Sequence, residues 1–238
     1  MNESSDKKNL VVKQLFEYAK DLKKTIANFK TVHQELQEAY FDTIQRLAMA
    51  AEYRDEDTGD HIVRMSRYSA FIAEKMGFSE TDVQNILFAS PMHDVGKIGI
   101  PDNILLKKGK LTDEEFEIIK THCTIGARIL SNSKSEILQL AESIALTHHE
   151  KWNGRGYPRE LSKDEIPVEG RIVALADVLD ALTSKRPYKD PYSFETVCDI
   201  IKNERKKHFD PEITDIIFDN LDGIIKIKDD VNFKMPVK

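Results

Sequence analysis

Five of the seven histidines in this chain stand beside a carboxylate, a glycine turn or another histidine: His61, His93, His122, His148 and His149. His93 and Asp94 are adjacent and run into Val95, Gly96 and Lys97, and His148 and His149 are adjacent and run into Glu150. A single histidine is more often a satisfied core or surface residue than a ligand, but two such pairs shift that balance towards metal binding. Neighbours at a helix end diverge by about 100 degrees, so adjacent ligands reach different metals unless the backbone leaves the helix there. Asp94 is then placed to bridge two ions through both carboxylate oxygens. His93 and His122 would bind one of them, with His148 and His149 contributing elsewhere. Asp177, inside the apolar stretch RIVALADVLDAL, completes the set. A carboxylate buried in such a helix is costly unless it is paired or bound to metal. A helix hydrogen bond or a salt bridge is its other reading.

A mixture of imidazole and carboxylate without thiolate points away from structural zinc and towards iron or manganese, with nickel, cobalt and catalytic zinc also compatible. Two ions about 3.5 to 4 Å apart lower the pKa of a bridging water and stabilise both the attacking and the leaving oxygen of a phosphodiester. Hydrolysis of that bond is the chemistry this site would perform. The two cysteines, Cys123 and Cys198, lie in periodic helical segments far apart in sequence, which argues against a disulfide framework and fits a reducing cytoplasm.

These residues must be held by helices. No glycine or proline occurs before Gly59, and apolar residues recur from Leu10 to about Ala51, so a long helix is predicted there. Leu15, Leu22, Phe29, Leu36, Thr43 and Ala50 recur every seventh residue, interleaved with Ala19, Ile26, His33, Tyr40 and Leu47, which makes a heptad seam. Two readings fit that seam: a parallel homodimer, or one amphipathic helix packed along its own domain. His33 reads as a tolerated polar residue on the seam. Further along, Gly77 reads as a C-cap and Ser79 to Asp82 as the next helix start. Thr112 with Glu115 forms a capping box for a helix through Leu130, and Asp210 with Pro211 opens a helix ending near Gly223. Strict alternation is scarce, so the fold is predicted to be all-α, with a loop-rich patch at about 151 to 168. The C-terminal stretch 226–238 reads as a polar, fraying tail.

The chain has 238 residues, 40% of them hydrophobic and 32% charged, which suits one core plus an appendage and is too charged for a membrane protein. A net charge of -6 disfavours a broad DNA or RNA surface, which needs a basic excess. A small phosphate ligand needs only local cations. Nothing near the start reads as an export signal.

Taken together, HDVGKIGIPD, HHEKWNGRGYP and RIVALADVLDALTSKRPYK resemble the HD-GYP phosphodiesterases, a branch of the HD hydrolase superfamily. The likeness covers roughly residues 42 to 222. The joint order of HD, His122 in THCTIGARIL, HH, GYP and the final aspartate is far more specific than HD alone.

The resemblance implies an HD-type helical bundle at 52–225 preceded by the long helix of 1–51. It makes His61, His93, Asp94, His122, His148, His149 and Asp177 metal ligands for two divalent ions. Lys97 would face the scissile phosphate as a cation or proton donor, and Tyr157, Asp180, Arg186 and Lys189 would contact substrate. Asp57 stands four residues before His61, where the three-metal form carries the longer Glu. It would either reach a third ion or cap the helix of His61. The implied activity is cleavage of cyclic di-GMP to pGpG and/or GMP by a metal-bridging hydroxide, in bacterial signalling. Rival readings are a cyclic GMP-AMP phosphodiesterase, an HD-type nucleotide phosphohydrolase, and a non-catalytic sensor signalling along the heptad helix. The family often joins such a helix to an upstream sensory or receiver domain.

Overall fold

The computed structural model describes residues 2–52, 59–184 and 191–230. The positions expected to hold Asp57, Arg186 and Lys189 lie outside them. Among the described residues the fold is all-α, with two isolated bridges, Asn153 to Ser162 and Arg205 to Phe209, in place of any strand. Ten α-helices follow one another: α1 (Asn2–Glu52), α2 (Gly59–Lys75), α3 (Glu80–Ala89), α4 (Asp102–Leu105), α5 (Asp113–Leu130), α6 (Glu136–Thr147), α7 (Val168–Thr183), α8 (Phe194–Asn203), α9 (Pro211–Asp219) and α10 (Leu221–Asp229). Short 3-10 turns at Ser90–Met92 and Val95–Gly99 flank the HD pair. Among the described residues no helix is long and apolar enough to cross a membrane.

The chain divides into two units, the first ending its part of α1 at Thr43 and the second beginning at Ile44. In the first, Leu15, Leu22, Ile26, Phe29 and Leu36 lie exposed along α1, and His33 stacks on Phe29 with ring centroids 6.0 Å apart. The division thus falls at 43/44 instead of the expected 51/52, because Ile44, Ala48 and Ala51 at the end of α1 are buried.

In the second unit α2 packs on α3 and α7, and α6 packs on α3, α5 and α7. The core they share includes Ile62, Met65 and Ile72 of α2, Ala141, Ile144 and Ala145 of α6, and Ile172, Leu175 and Leu179 of α7, all at most 1% exposed. Most of them recur three, four or seven residues apart, the helical repeat that puts one stripe of each helix inward. Local signals set the ends. Gly77, at φ +84, closes α2 with the paired bonds of a Schellman motif, Phe78 N–H to Ala73 O and Gly77 N–H to Glu74 O. The Thr112–Glu115 capping box opens α5, and Asp210 accepts the Glu212 N–H to open α9.

Two expectations at the C-terminal end are corrected. The helix opened by Asp210 stops at Asp219, not near Gly223, and Gly223 lies inside the following α10. A Cβ there would come within 2.2 Å of the Phe71 ring, so this glycine permits close packing on α2 and ends nothing. The tail expected from 226 is helical through Asp229, because Ile224 and Ile227 share a buried stripe. Residues 231–238 lie outside the described residues.

Candidate metal centre

The sequence-predicted ligands within the described residues meet in two groups. Asp94, His122, His148 and His149 each present one ligand atom within 4.8 Å of the others, and His61, His93 and Asp177 do the same. Asp94 lies between them. Its Oδ1 is 3.1 Å from His122 Nε2 and 3.4 Å from His148 Nε2, while its Oδ2 is 3.3 Å from His93 Nε2. In the other group His61 Nε2 lies 3.5 Å from Asp177 Oδ1. Asp94 thus turns one oxygen to each group. His93, expected beside His122, turns from the 3-10 segment towards His61, and His122 sits with His148 and His149 on the other side.

Packing brings α5 this close. A Cβ on Gly96 would lie 1.9 Å from the His122 carbonyl oxygen and 2.5 Å from the Gly126 nitrogen. Only glycine lets the turn after Asp94 lie on the backbone of α5. On α6 the helix ends at Thr147, so His148 and His149 leave it together and reach one group.

The residues present fit metal ions. His93, His122 and His148 each donate from Nδ1 to a backbone carbonyl, of Ser90 at 3.1 Å, Ile119 at 2.7 Å and Ile144 at 3.0 Å. A carbonyl only accepts, so Nδ1 carries the proton and a neutral ring offers a lone pair at Nε2. The Nε2 atoms of His122 and His148 then face each other at 3.5 Å, beside an Asp94 Oδ1 that is buried without a hydrogen bond. Such an array of acceptors requires positive charge among them, a proton or a metal ion.

The electrostatics agree. Burial by itself would raise the Asp94 carboxyl, but Lys97, with Nζ 2.9 Å from Oδ2, and the surrounding histidines hold it well below the usual carboxylate range. Burial likewise opposes charge on His122, yet the Asp94 carboxylate and Cys123 beside it push it up to about 10, so a proton competes with a metal ion for its Nε2. Burial depresses His148 and His149, which stay neutral and able to bind metal.

Tyr157, expected at the substrate, stacks on His149 with centroids 4.7 Å apart, donates its backbone N–H to the His149 carbonyl, and lies under the Lys120 ammonium at 5.7 Å. Asp180, also expected at the substrate, is placed otherwise. Its side chain has no exposed surface, and its oxygens are taken by His61 Nδ1 and by Arg64.

Two residues escaped the sequence reading. Arg64 lies one turn after His61, a spacing that could have flagged it. Glu150, directly after the HH pair, is buried and accepts the backbone N–H groups of Arg159 at 2.7 Å and Leu161 at 3.1 Å. It thereby ties down the loop that carries Tyr157. Replacing Glu150 with Ala is expected to cost about 1–3 kcal/mol for the acceptors lost. Amide hydrogen exchange should speed up over residues 151–162 and stay unchanged in α2 and α7.

Comparison with known proteins gives the chain's family. Over 194 residues, 82% of this chain, it is 52% identical to a cyclic di-GMP phosphodiesterase of Thermotoga maritima. Over 183 residues, 77% of the chain, it is 45% identical to the cyclic di-GMP phosphodiesterase response regulator RpfG of Xanthomonas campestris. Over 194 residues it is 42% identical to a 3'3'-cGAMP-specific phosphodiesterase of Vibrio cholerae. The chain spans about half or less of these relatives, 52%, 48% and 37% of their lengths. Among solved structures, the fold resembles a cyclic GMP-AMP specific phosphodiesterase of V. cholerae, with a TM-score of 0.59 at 20% identity, covering 80% of this chain and 51% of that one. Residues 43–213, which hold both ligand groups, match the HD domain, and with its HD, HH and GYP motifs in order this chain belongs to the HD domain family.

Proposed function

We propose that this chain hydrolyses a phosphodiester bond of a cyclic dinucleotide, cyclic di-GMP foremost, releasing pGpG and/or GMP. The observation that carries this reading is the pair of ligand groups meeting on one carboxylate, Asp94, an arrangement suited to two ions. The donors, five imidazoles and two carboxylates, favour iron or manganese. When bound, such ions acidify water and neutralise the attacking and leaving oxygens of a phosphodiester. The names of the relatives supply the cyclic dinucleotide. A third ion would rest on Asp57, outside the described residues.

The chain's own groups have distinct tasks in this reading. Asp94 joins the two groups, and the Lys97 ammonium beside it faces a phosphate oxygen or gives a proton to the leaving oxygen. Tyr157 braces His149, and Arg186 and Lys189 hold the remaining phosphate. Replacing Lys97 with Met is expected to lower turnover by about 10²-fold. The variant should keep its metal content; unchanged turnover would remove Lys97 from the chemistry.

The test is to purify the protein without oxygen, load it with iron or manganese, and separate the products formed from cyclic di-GMP and from 3'3'-cGAMP. Turnover of cyclic di-GMP should vanish with a chelator and return on reloading. Faster cleavage of the mixed dinucleotide would move the substrate to that of the V. cholerae relative. Binding without cleavage under any loading would leave a sensor. We further propose that the exposed seam of α1 pairs in a parallel homodimer that links the hydrolase to an upstream sensory or receiver domain in the cytoplasm. Sedimentation should give twice the chain mass, and Leu22→Asp with Leu36→Asp should halve it.

A further inference from the structure

The two ligand groups differ in what stands behind their imidazoles. His93, His122 and His148 are backed by neutral backbone carbonyls, whereas His61 donates from Nδ1 to the Asp180 carboxylate at 2.8 Å. Asp177 and Asp180 lie one turn apart on α7 and are both within reach of this one ring of α2: Asp180 takes its Nδ1 and Asp177 faces its Nε2. Arg64, also on α2, fixes the arrangement. Its Nε donates to Asp180 Oδ1 at 2.7 Å and its Nη2 to Oδ2 at 3.0 Å, the planar fork a carboxylate accepts best. Nη2 also donates to Ser184 Oγ, which in turn donates to Asp180 Oδ2. With no exposed surface and these contacts on both oxygens, Asp180 has nothing left for a substrate.

We infer that Asp180, clamped by Arg64, is a positioning residue that sets the metal affinity of the His61–His93–Asp177 group and leaves the other group untouched. This rests on the reading of both groups as metal sites. A carboxylate behind an imidazole fixes the proton on Nδ1, aims the Nε2 lone pair at the ion and makes it a stronger donor. Carbonyl backing does the first two and little of the third. The His61 ring is therefore backed by a buried carboxylate where His122 and His148 are backed by carbonyls.

The experiment compares manganese binding by the wild type, by Asp180→Asn, and by Asp180→Asn combined with Arg64→Gln. The double variant removes both charges together, so it reports even where Asn alone strands the half-buried Arg64 and unfolds the protein. The wild type should hold two ions per chain and show the resonance of a coupled manganese pair. Each folded variant should hold one ion tightly, with affinity for the second down 10- to 100-fold. Its spectrum should become that of an isolated ion. Variants that keep both ions at wild-type affinity, or that stay folded and lose both, overturn the inference. A wild type that binds no ion overturns the metal reading itself, an outcome distinct from either.

Discussion

Replacement of Asp94 with Asn is expected to abolish hydrolysis, with turnover falling by about 10³-fold or more. The reason lies in how much converges on one small side chain. Oδ1 faces His122 and His148, Oδ2 faces His93 and Lys97, and the residue is 8% exposed. An amide keeps the shape but loses the charge and turns one oxygen into a donor. It then points N–H groups at an imidazole lone pair or at the Lys97 ammonium, and one ligand group loses its carboxylate. The folded variant should hold no more than one ion per chain by elemental analysis, against two for the wild type. Removing one partner from a buried, charged cluster also costs stability, of order 3–5 kcal/mol. Circular dichroism must therefore show helix content preserved before the kinetic loss is credited to chemistry. Full metal content together with full turnover would remove Asp94 from the mechanism.

The candidate ligands could be picked out in sequence because imidazole and carboxylate are scarce inside apolar helices and stood out there, as Asp177 does in RIVALADVLDAL. Their assignment to groups could not. The divergence of adjacent residues holds for His93 and Asp94, which sit between two 3-10 turns. It fails for His148 and His149, because α6 ends at Thr147 and the chain turns between them. Where a helix stops by one residue decides this, and composition does not encode it sharply. Asp180 shows a second limit. The family resemblance put it at the substrate, but only packing against α2 shows it turned inward to His61 and Arg64. Glycine shows a third. Gly77 reads correctly as a cap from local pattern, whereas Gly223 looks like one and is a point of contact with Phe71, distant in sequence.

Gly96 is a contact of the same kind, and substituting it tests whether packing builds the centre. An added methyl would lie 1.9 Å from the His122 carbonyl oxygen and 2.5 Å from the Gly126 nitrogen, both backbone atoms of α5 that no rotamer change can move aside. The turn Val95–Gly99 and α5 must separate, and with them Asp94 and His122. Gly96→Ala is therefore expected to cost more than the about 1–3 kcal/mol of ordinary overpacking. At about 2–4 °C per kcal/mol for a unit of this size, the melting temperature should fall by about 10 °C. Gly126→Ala provides the internal scale. It faces the same contact from the other side, but its methyl would meet Gly96 N at 3.2 Å and Ala145 Cβ at 3.3 Å, which a shift of a few tenths of an ångström relieves. Thermal melts with metal removed should rank Gly96→Ala well below Gly126→Ala. Reloading should restore two ions to Gly126→Ala and leave Gly96→Ala deficient in the group that contains His122. Equal melting temperatures for the two variants would mean that α5 yields freely at this point. The approach of Asp94 to His122 would then be set by the ions it holds and not by the glycine contact.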